Sequence, residues 1–337
     1  MDYKIKKISE TNIDLLNQFY KLAFPSRYKS LVKHWKWYYK IGDSNFEPLV
    51  LECKGKIVGM AGLIPENLSF EGKIHQAIWF TDFYILKEFR NKGLGSILTK
   101  EWMKICPIQI TYCNEESLKV FKKFNWKNNN IIYRKINPIN ISNLIPVFNK
   151  LNFNLNIKLF KKKNKNFENI KQFQPDKIKI QNIKKYCKLE EQRIKNGKTF
   201  SIIRDENWFE WRFINCPYSS EIFEFECNQE LVIAHIYKKD NKKRLNILYS
   251  HTQEQDSIIY DLVYNWSVNN NIDFIWSLNS EQKKIFKENF ITNLFLKRKI
   301  NFAFWAEDNQ KFTHLEKGFA NSQGSDSDLE SNLYQDE

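Results

Sequence analysis

The sequence predicts an α/β chain of layered helices and sheets, built as two tandem copies of one unit. Three observations lead there. The chain has 337 residues, too many for one ordinary core and suited to two domains of about 100–200 residues. It repeats itself in two ordered blocks. Between those blocks the first copy holds a strand, a glycine loop and a helix in succession.

The first block aligns Trp37 with Trp211 at an offset of 174 residues. Without a gap, Tyr39 then meets Phe213, Leu51 meets Phe225, Glu52 meets Glu226, Cys53 meets Cys227, Ile57 meets Leu231 and Val58 meets Val232. The segments LECKGKIV and FECNQELV each read as two strands joined by a tight turn. The second block has an offset of 165 and pairs Asn114 with Asn279, Glu116 with Glu281, Lys119 with Lys284, Val120 with Ile285, Phe121 with Phe286 and Lys122 with Lys287. There a strand (ICPIQITYC; IDFIWSL) runs into Asn and an amphipathic helix in both copies. Ordered matches at this spacing mark a duplication. The expected domains are 1–140 and 176–310. Between them lies an Asn- and Lys-rich linker, 141–175, with Pro146 and the basic run Lys161 to Lys165. Residues 311–337 read as a largely disordered acidic tail.

Composition narrows the class. With 42% hydrophobic and 15% aromatic residues there is enough apolar side chain to fill cores. No apolar run approaches the roughly 18–20 residues that span a bilayer, and MDYKIKKISE lacks the apolar segment of a secretory signal. The protein is therefore expected to be cytoplasmic. Six cysteines without CxxC spacing and five dispersed histidines suggest neither a zinc site nor a disulfide framework, so no metal is expected. A formal charge of +14 and a pI near 9.3 invite a nucleic-acid reading. Lysine outweighs arginine, however, and Lys, Asn and Ile are abundant throughout, as AT-rich coding would produce, so nucleic acid is not the expected partner. A basic face also attracts an anionic cofactor.

The chemistry is carried by FTDFYILKEFRNKGLGSILTKEWMK, Phe80 to Lys104. A β-rich run, Trp79 to Leu86, leads into a loop, Lys87 to Gly95, and then a helix from Ser96 to Lys104 with Ile97, Leu98 and Trp102 able to face a core. This order suits a diphosphate: glycines admit close approach, and free N–H groups at a helix start point at the anion. The loop is neither a P-loop nor a Rossmann fingerprint, and a GxG alone equally marks a tight turn.

Arg90-Asn91-Lys92-Gly93-Leu94-Gly95 resembles the [Q/R]-x-x-G-x-[G/A] signature of the GNAT family of N-acetyltransferases. The preceding TDFYILKEF is similar to that family's fourth strand, and NEESLKVFKKFNW to its later helix. Together they span Trp79 to Trp126. The resemblance implies, in each copy, a mixed, mostly antiparallel sheet flanked by helices. It implies acetyl-CoA or another acyl-CoA as co-substrate, and direct attack of an amine on the thioester with no covalent enzyme intermediate. The fourth and fifth strands would part like a V, with pantetheine on the main chain of Phe83, Tyr84 and Ile85. The pyrophosphate would lie on the amides of Arg90, Asn91, Lys92, Gly93, Leu94, Gly95 and Ser96, and Asn114 would sit near the pantetheine or thioester. Asp82 takes the position of the family's general base. Phe121 stands where relatives carry the Tyr that protonates the thiolate, so the thiolate leaves unaided or Tyr112, Cys113 or Tyr133 serves. Asn125 replaces a common Gly.

The second copy's SHTQEQDSIIYDLVYNW lacks the glycine loop, so this copy reads as degenerate, building the acceptor cleft or a homodimer surface. Acceptor specificity is expected from helices Leu15 to Phe24 and Ser30 to Tyr39. There His34, Trp35, Trp37, Tyr38 and Tyr39 serve either packing or as a stacking platform for a flat acceptor. Tandem chains with W-x-[YF] segments resemble enzymes of surface-polysaccharide pathways, which implies a small-molecule amine acceptor such as an amino sugar. Two other readings stay open: a Fem-like transferase using aminoacyl-tRNA, and a non-catalytic binding protein of the same fold.

Overall fold

The computed structural model describes residues 2–42, 45–139, 173–195, 200–252, 258–280, 297–308 and 313. The basic run Lys161 to Lys165, the second-copy helix matched from Glu281 to Lys287, and the acidic tail lie outside the described residues. In the first copy the order is β1 (Tyr3–Lys7), α1 (Ile13–Ala23), α2 (Tyr28–Tyr38), β2 (Leu49–Cys53), β3 (Lys56–Phe70), β4 (Lys73–Ile85), α3 (Leu94–Met103), β5 (Ile108–Cys113), α4 (Glu115–Lys122) and β6 (Lys127–Pro138). The second copy has β7 (Asp176–Lys177), α5 (Ile183–Lys195), β8 (Ser201–Ile202), α6 (Glu206–Phe209), β9 (Ile222–Cys227), β10 (Glu230–Lys239), β11 (Lys242–His251), α7 (Ile258–Asn269), β12 (Phe274–Ser280) and β13 (Lys297–Ala306).

The repeat seen in the sequence reappears in backbone detail. In the first hairpin Cys53 pairs with Lys56, and in the second Cys227 pairs with Glu230. Both turns hold two residues at positive φ: Lys54 and Gly55 at 50° and 72°, Asn228 and Gln229 at 50° and 64°. That is the backbone of a tight type I′ hairpin. Asn12 starts α1 by accepting from the N–H groups of Asp14 and Leu15, and the helix buries Leu16, Phe19, Tyr20 and Ala23.

All the strands join one mixed sheet in the order β1-β2-β3-β4-β5-β13-β6-β12-β11-β10-β9-β7, with β8 paired to β3. Pairs are antiparallel except β4 with β5 and β11 with β12. The order reads the same from both ends about the β13/β6 seam, where a pseudo-twofold axis relates the copies. The last strands are exchanged. β6, from the first copy, pairs with β12 and β13, while β13, from the second copy, pairs with β5. Neither copy completes its own sheet.

A second contact between the copies is equally symmetric. Trp37 Nε1 donates to the Trp211 carbonyl at 2.9 Å, and Trp211 Nε1 donates to the Trp37 carbonyl at 2.7 Å. Equivalent residues of two related units meet where the axis passes between them, so this pairing serves packing between the copies. One core, on the α1/α2 side, mixes both copies: Tyr20, Tyr39, Met60 and Trp79 pack in one cluster with Phe209, Phe213 and Tyr249. A separate core under α3 and α4 contains Phe80, Leu98, Trp102, Phe121 and Trp126.

Candidate acyl-donor site

The site is built where β4 and β5 separate. They pair only at Ile78 with Gln109 and Trp79 with Ile110. One residue further, the Thr111 hydroxyl donates to the Phe80 carbonyl at 2.6 Å, a side-chain bond in place of a ladder bond. Beyond it the strands part, and from Asp82 to Ile85 the edge of β4 has no β5 partner. A cavity of about 680 Å³ fills the opening, with Thr81, Asp82 and Phe83 on one wall and Tyr112, Cys113 and Asn114 on the other.

β4 is irregular just there. Met60 pairs with Tyr84 and Gly62 with Thr81, so Ala61 alone faces both Asp82 and Phe83. This is a β-bulge, and Asp82 within it takes φ 49°, a region Asp tolerates better than most residues. The extra residue turns the Asp82 carboxylate toward α2. Arg27 Nη1 donates to Asp82 Oδ1 at 2.7 Å and Nη2 to Oδ2 at 3.3 Å. The Tyr39 hydroxyl donates to Oδ2 at 2.8 Å. The Asp82 side chain is only 3% exposed although the residue as a whole is half-buried, so what Asp82 presents to the cavity is chiefly main chain. Burial, and after it the Asp82 charge, raises the Tyr39 and Tyr20 hydroxyls well above the ordinary tyrosine range, and both stay protonated.

At the end of β4 the glycine loop enters α3. Gly93 is the N-cap with φ 77°, a left-handed conformation that glycine adopts without cost, and no side chain caps the helix. The first main-chain bond of the helix runs from the Ile97 N–H to the Gly93 carbonyl at 3.1 Å. The Arg90 N–H, expected in the cradle, is instead taken by the Lys87 carbonyl at 3.2 Å, whereas among the described residues the N–H groups from Asn91 to Ser96 donate no main-chain bond that would occupy them. Leu94 is buried beneath the loop, whereas Arg90, Asn91, Lys92 and Ser96 are exposed. The two basic side chains brace the loop: Arg90 Nε donates to the Ile85 carbonyl at 2.9 Å and stacks 4.9 Å from the Tyr84 ring, and Lys92 Nζ donates to the Glu88 carbonyl at 2.7 Å.

The structure thus brings Asp82, Phe83 and Asn114 to one cavity, with Tyr84 and Ile85 continuing β4 toward the loop. Asn114 caps α4, its Oδ1 accepting from the Ser117 N–H at 2.8 Å. Phe121 lines the cavity, stacked 4.7 Å from Trp126. Of the three alternative proton donors, Tyr112 and Cys113 line the cavity and Tyr133 does not. Burial, and next the Glu115 charge, pushes the Cys113 thiol up to about 12. Asn125 takes φ 62°, the conformation that a glycine would otherwise supply. The second-copy counterpart of the glycine loop falls largely at 253–257, outside the described residues. Arg27 and Gly62 were not singled out by the sequence, and Tyr39 was expected only for packing or an acceptor platform. A Cβ on Gly62 would lie 2.8 Å from the Thr81 carbonyl oxygen and 2.9 Å from Tyr39 Cε1, and this close approach is the one mark the sequence carried.

Parted parallel strands, a bulged β4 and an uncapped helix at its end define the GNAT fold, here in tandem. Residues 11–126 match the acetyltransferase (GNAT) family. The fold extends over nearly the whole chain. A GCN5-related N-acetyltransferase from Kribbella flavida superposes with a TM-score of 0.59 at 12% identity, covering 91% of this chain and 72% of that one. N-myristoyltransferase from Saccharomyces cerevisiae with bound myristoyl-CoA gives 0.57 at 14% identity, covering 90% and 82%. A probable N-acyltransferase of Enterococcus faecalis V583 gives 0.54 at 10%, covering 93% and 74%. No curated protein matches the sequence. Among the described residues no helix is long and apolar enough to cross a membrane, and no three His, Cys, Asp or Glu side chains gather to hold a metal.

Proposed function

We propose that the chain is an N-acyltransferase that moves an acyl group, acetyl first among them, from acyl-CoA to a small-molecule amine such as an amino sugar. The observation that carries the reading is the parting of β4 from β5 beside a cavity, with the uncapped start of α3 following at the end of the same strand. The residues present suit the donor. Unoccupied N–H groups after Asn91 suit a diphosphate, with the helix dipole adding about 0.3–1 kcal/mol at an exposed site. The unpartnered edge of β4 suits the two amides of a pantetheine arm. The donor supplies a thioester whose carbonyl carbon the amine attacks, with release of the thiol.

The chain's own groups orient that encounter. The β4 bulge borders the cavity, and main-chain donors fixed there would stabilise charge developing on an acyl oxygen. Thr81, Thr99 and Thr111 line the cavity with hydroxyls, Glu116, Arg134 and Lys299 add charge, and Phe80, Phe83 and Phe121 give it an apolar part. Cys113 is held as a thiol and so offers no nucleophile for an acyl-enzyme; direct attack is the simpler course. Phe121 has no proton to give, and no other side chain is assigned as general acid.

The test is thiol release from acetyl-CoA against a panel of amines that includes amino sugars, with calorimetric titration of CoA alongside. Saturable CoA binding and amine-dependent thiol release support the proposal. Absence of both would end it, and CoA binding without turnover of any amine would leave a binding protein of this fold.

A further inference from the structure

We propose that Asp82 is a positioning residue, gripped by Arg27 and Tyr39 so that the β4 bulge is held at one fixed depth beside the acyl group. The inference rests on the acyltransferase reading and assigns Asp82 a role other than the general base expected from its place in the strand.

Three residues, from the two ends of α2 and from β3, converge on this one irregularity. Arg27 stands at the N-cap of α2, its guanidinium 5.7 Å from the Phe24 ring and 5.8 Å from the Tyr38 ring. That aromatic seating fixes the planar fork before it meets a carboxylate. Tyr39, completely buried, comes from the end of α2. β3 contributes Gly62, where only a hydrogen fits between the Tyr39 ring and the Thr81 carbonyl. The carboxylate receives three hydrogen bonds, from Arg27 twice and Tyr39 once, and the Arg27 and Asp82 side chains are 7% and 3% exposed. A general base needs a lone pair within reach of the acceptor's N–H. This carboxylate instead spends its oxygens beneath the strand, while the Asp82 main chain faces the cavity.

The clamp has a clear task. A non-glycine residue in the left-handed region is strained and persists only where its surroundings hold it. Released, β4 could slip toward regular pairing, and a shift of one residue sends side chains to the opposite faces of the sheet. The main chain that borders the cavity would move with it.

The experiment compares Arg27→Met, Asp82→Asn, Tyr39→Phe and the Arg27→Met/Asp82→Asn double variant, by kcat and donor KM across pH with melting temperature in parallel. A positioning pair predicts that Arg27→Met lowers kcat about as much as Asp82→Asn, roughly 10- to 100-fold for a displacement near 1 Å. The shape of the pH–kcat profile should be kept in each single variant, and the double variant should be no worse than either. Tyr39→Phe, the mildest change, should cost a few-fold in kcat with the profile unchanged, which secures the test if the Arg27 variant does not fold. The inference is overturned if Arg27→Met or Tyr39→Phe retains full kcat while Asp82→Asn abolishes activity together with the acidic limb of the profile. That is the signature of a base. Wild-type protein that neither binds acetyl-CoA nor releases thiol would instead end the acyltransferase reading itself.

Discussion

Replacing Gly95 with Asp should separate folding from donor binding, because the structure assigns opposite signs to the two effects. Gly95 is the second residue of α3, after the Gly93 cap and Leu94. The nearest atoms to a Cβ there are Ile85 Cγ1 at 3.7 Å, Phe83 Cζ at 3.8 Å and Phe83 Cε1 at 4.0 Å, ordinary contacts. Removing a helical glycine gains up to roughly 0.5 kcal/mol for Asp, and an acid in the first turn adds about 0.3–1 kcal/mol through the dipole. The variant should therefore melt at the wild-type temperature or slightly above it. Donor binding should fall steeply. A carboxylate about 4 Å from two phosphate charges costs about 2 kcal/mol even with water-like screening, roughly 30-fold in affinity, and more in a drier site. Gly95→Ala controls for bulk and should bind the donor far better than the Asp variant. Titration calorimetry with CoA, at low and high salt, reads the loss and its screening. A stable Gly95→Asp protein with wild-type CoA affinity would refute the placement of the diphosphate.

Other consequences are simpler to state. Cys113→Ser should leave kcat within a few-fold of wild type and trap no acyl-enzyme by mass spectrometry, since the native thiol is held protonated; loss of all activity would restore a covalent route. Trp37→Phe removes one of two reciprocal indole–carbonyl bonds and should destabilise by about 0.5–1.5 kcal/mol. Combined with Trp211→Phe in a double-mutant cycle, it should show coupling, and strict additivity would count against the contact. Glu224, buried on β9 with Oε2 lacking a partner, is raised to about 7 chiefly by burial. Its folded form holds a proton more tightly than the unfolded form, so its contribution to stability declines as pH rises from about 4.5 to 7. Glu224→Gln should flatten that decline and exceed wild-type stability above pH 7; parallel melting curves for the two proteins would contradict it.

The local parts of the site were legible because they are written in consecutive residues. Strand, glycine loop and helix follow one another from Trp79 to Lys104, and each has its own signal: β-rich composition, glycines, apolar spacing. The duplicated hairpin was legible for the same reason. The exchange of β6 and β13 was not, since the apolar pattern of a central strand says that it is buried but not which neighbour it pairs with. Nor does a sequence mark a left-handed Asp inside a strand. Arg27 lies 55 residues from Asp82 in sequence, and its partner is decided by the packing of α2 on β3, a tertiary outcome. The Trp37–Trp211 match appeared in the sequence as a repeat equivalence. Only the pseudo-twofold axis turns that equivalence into a contact.

The claim on which the account turns is that free N–H groups at the start of α3 hold the donor's phosphates. Amide nitrogen and proton shifts of Gly93, Leu94, Gly95 and Ser96, followed by NMR during titration with CoA, test it directly. Large, saturating shifts at these four amides, matching the calorimetric affinity, are the predicted result. Saturable CoA binding that leaves them unmoved and shifts amides elsewhere would contradict it.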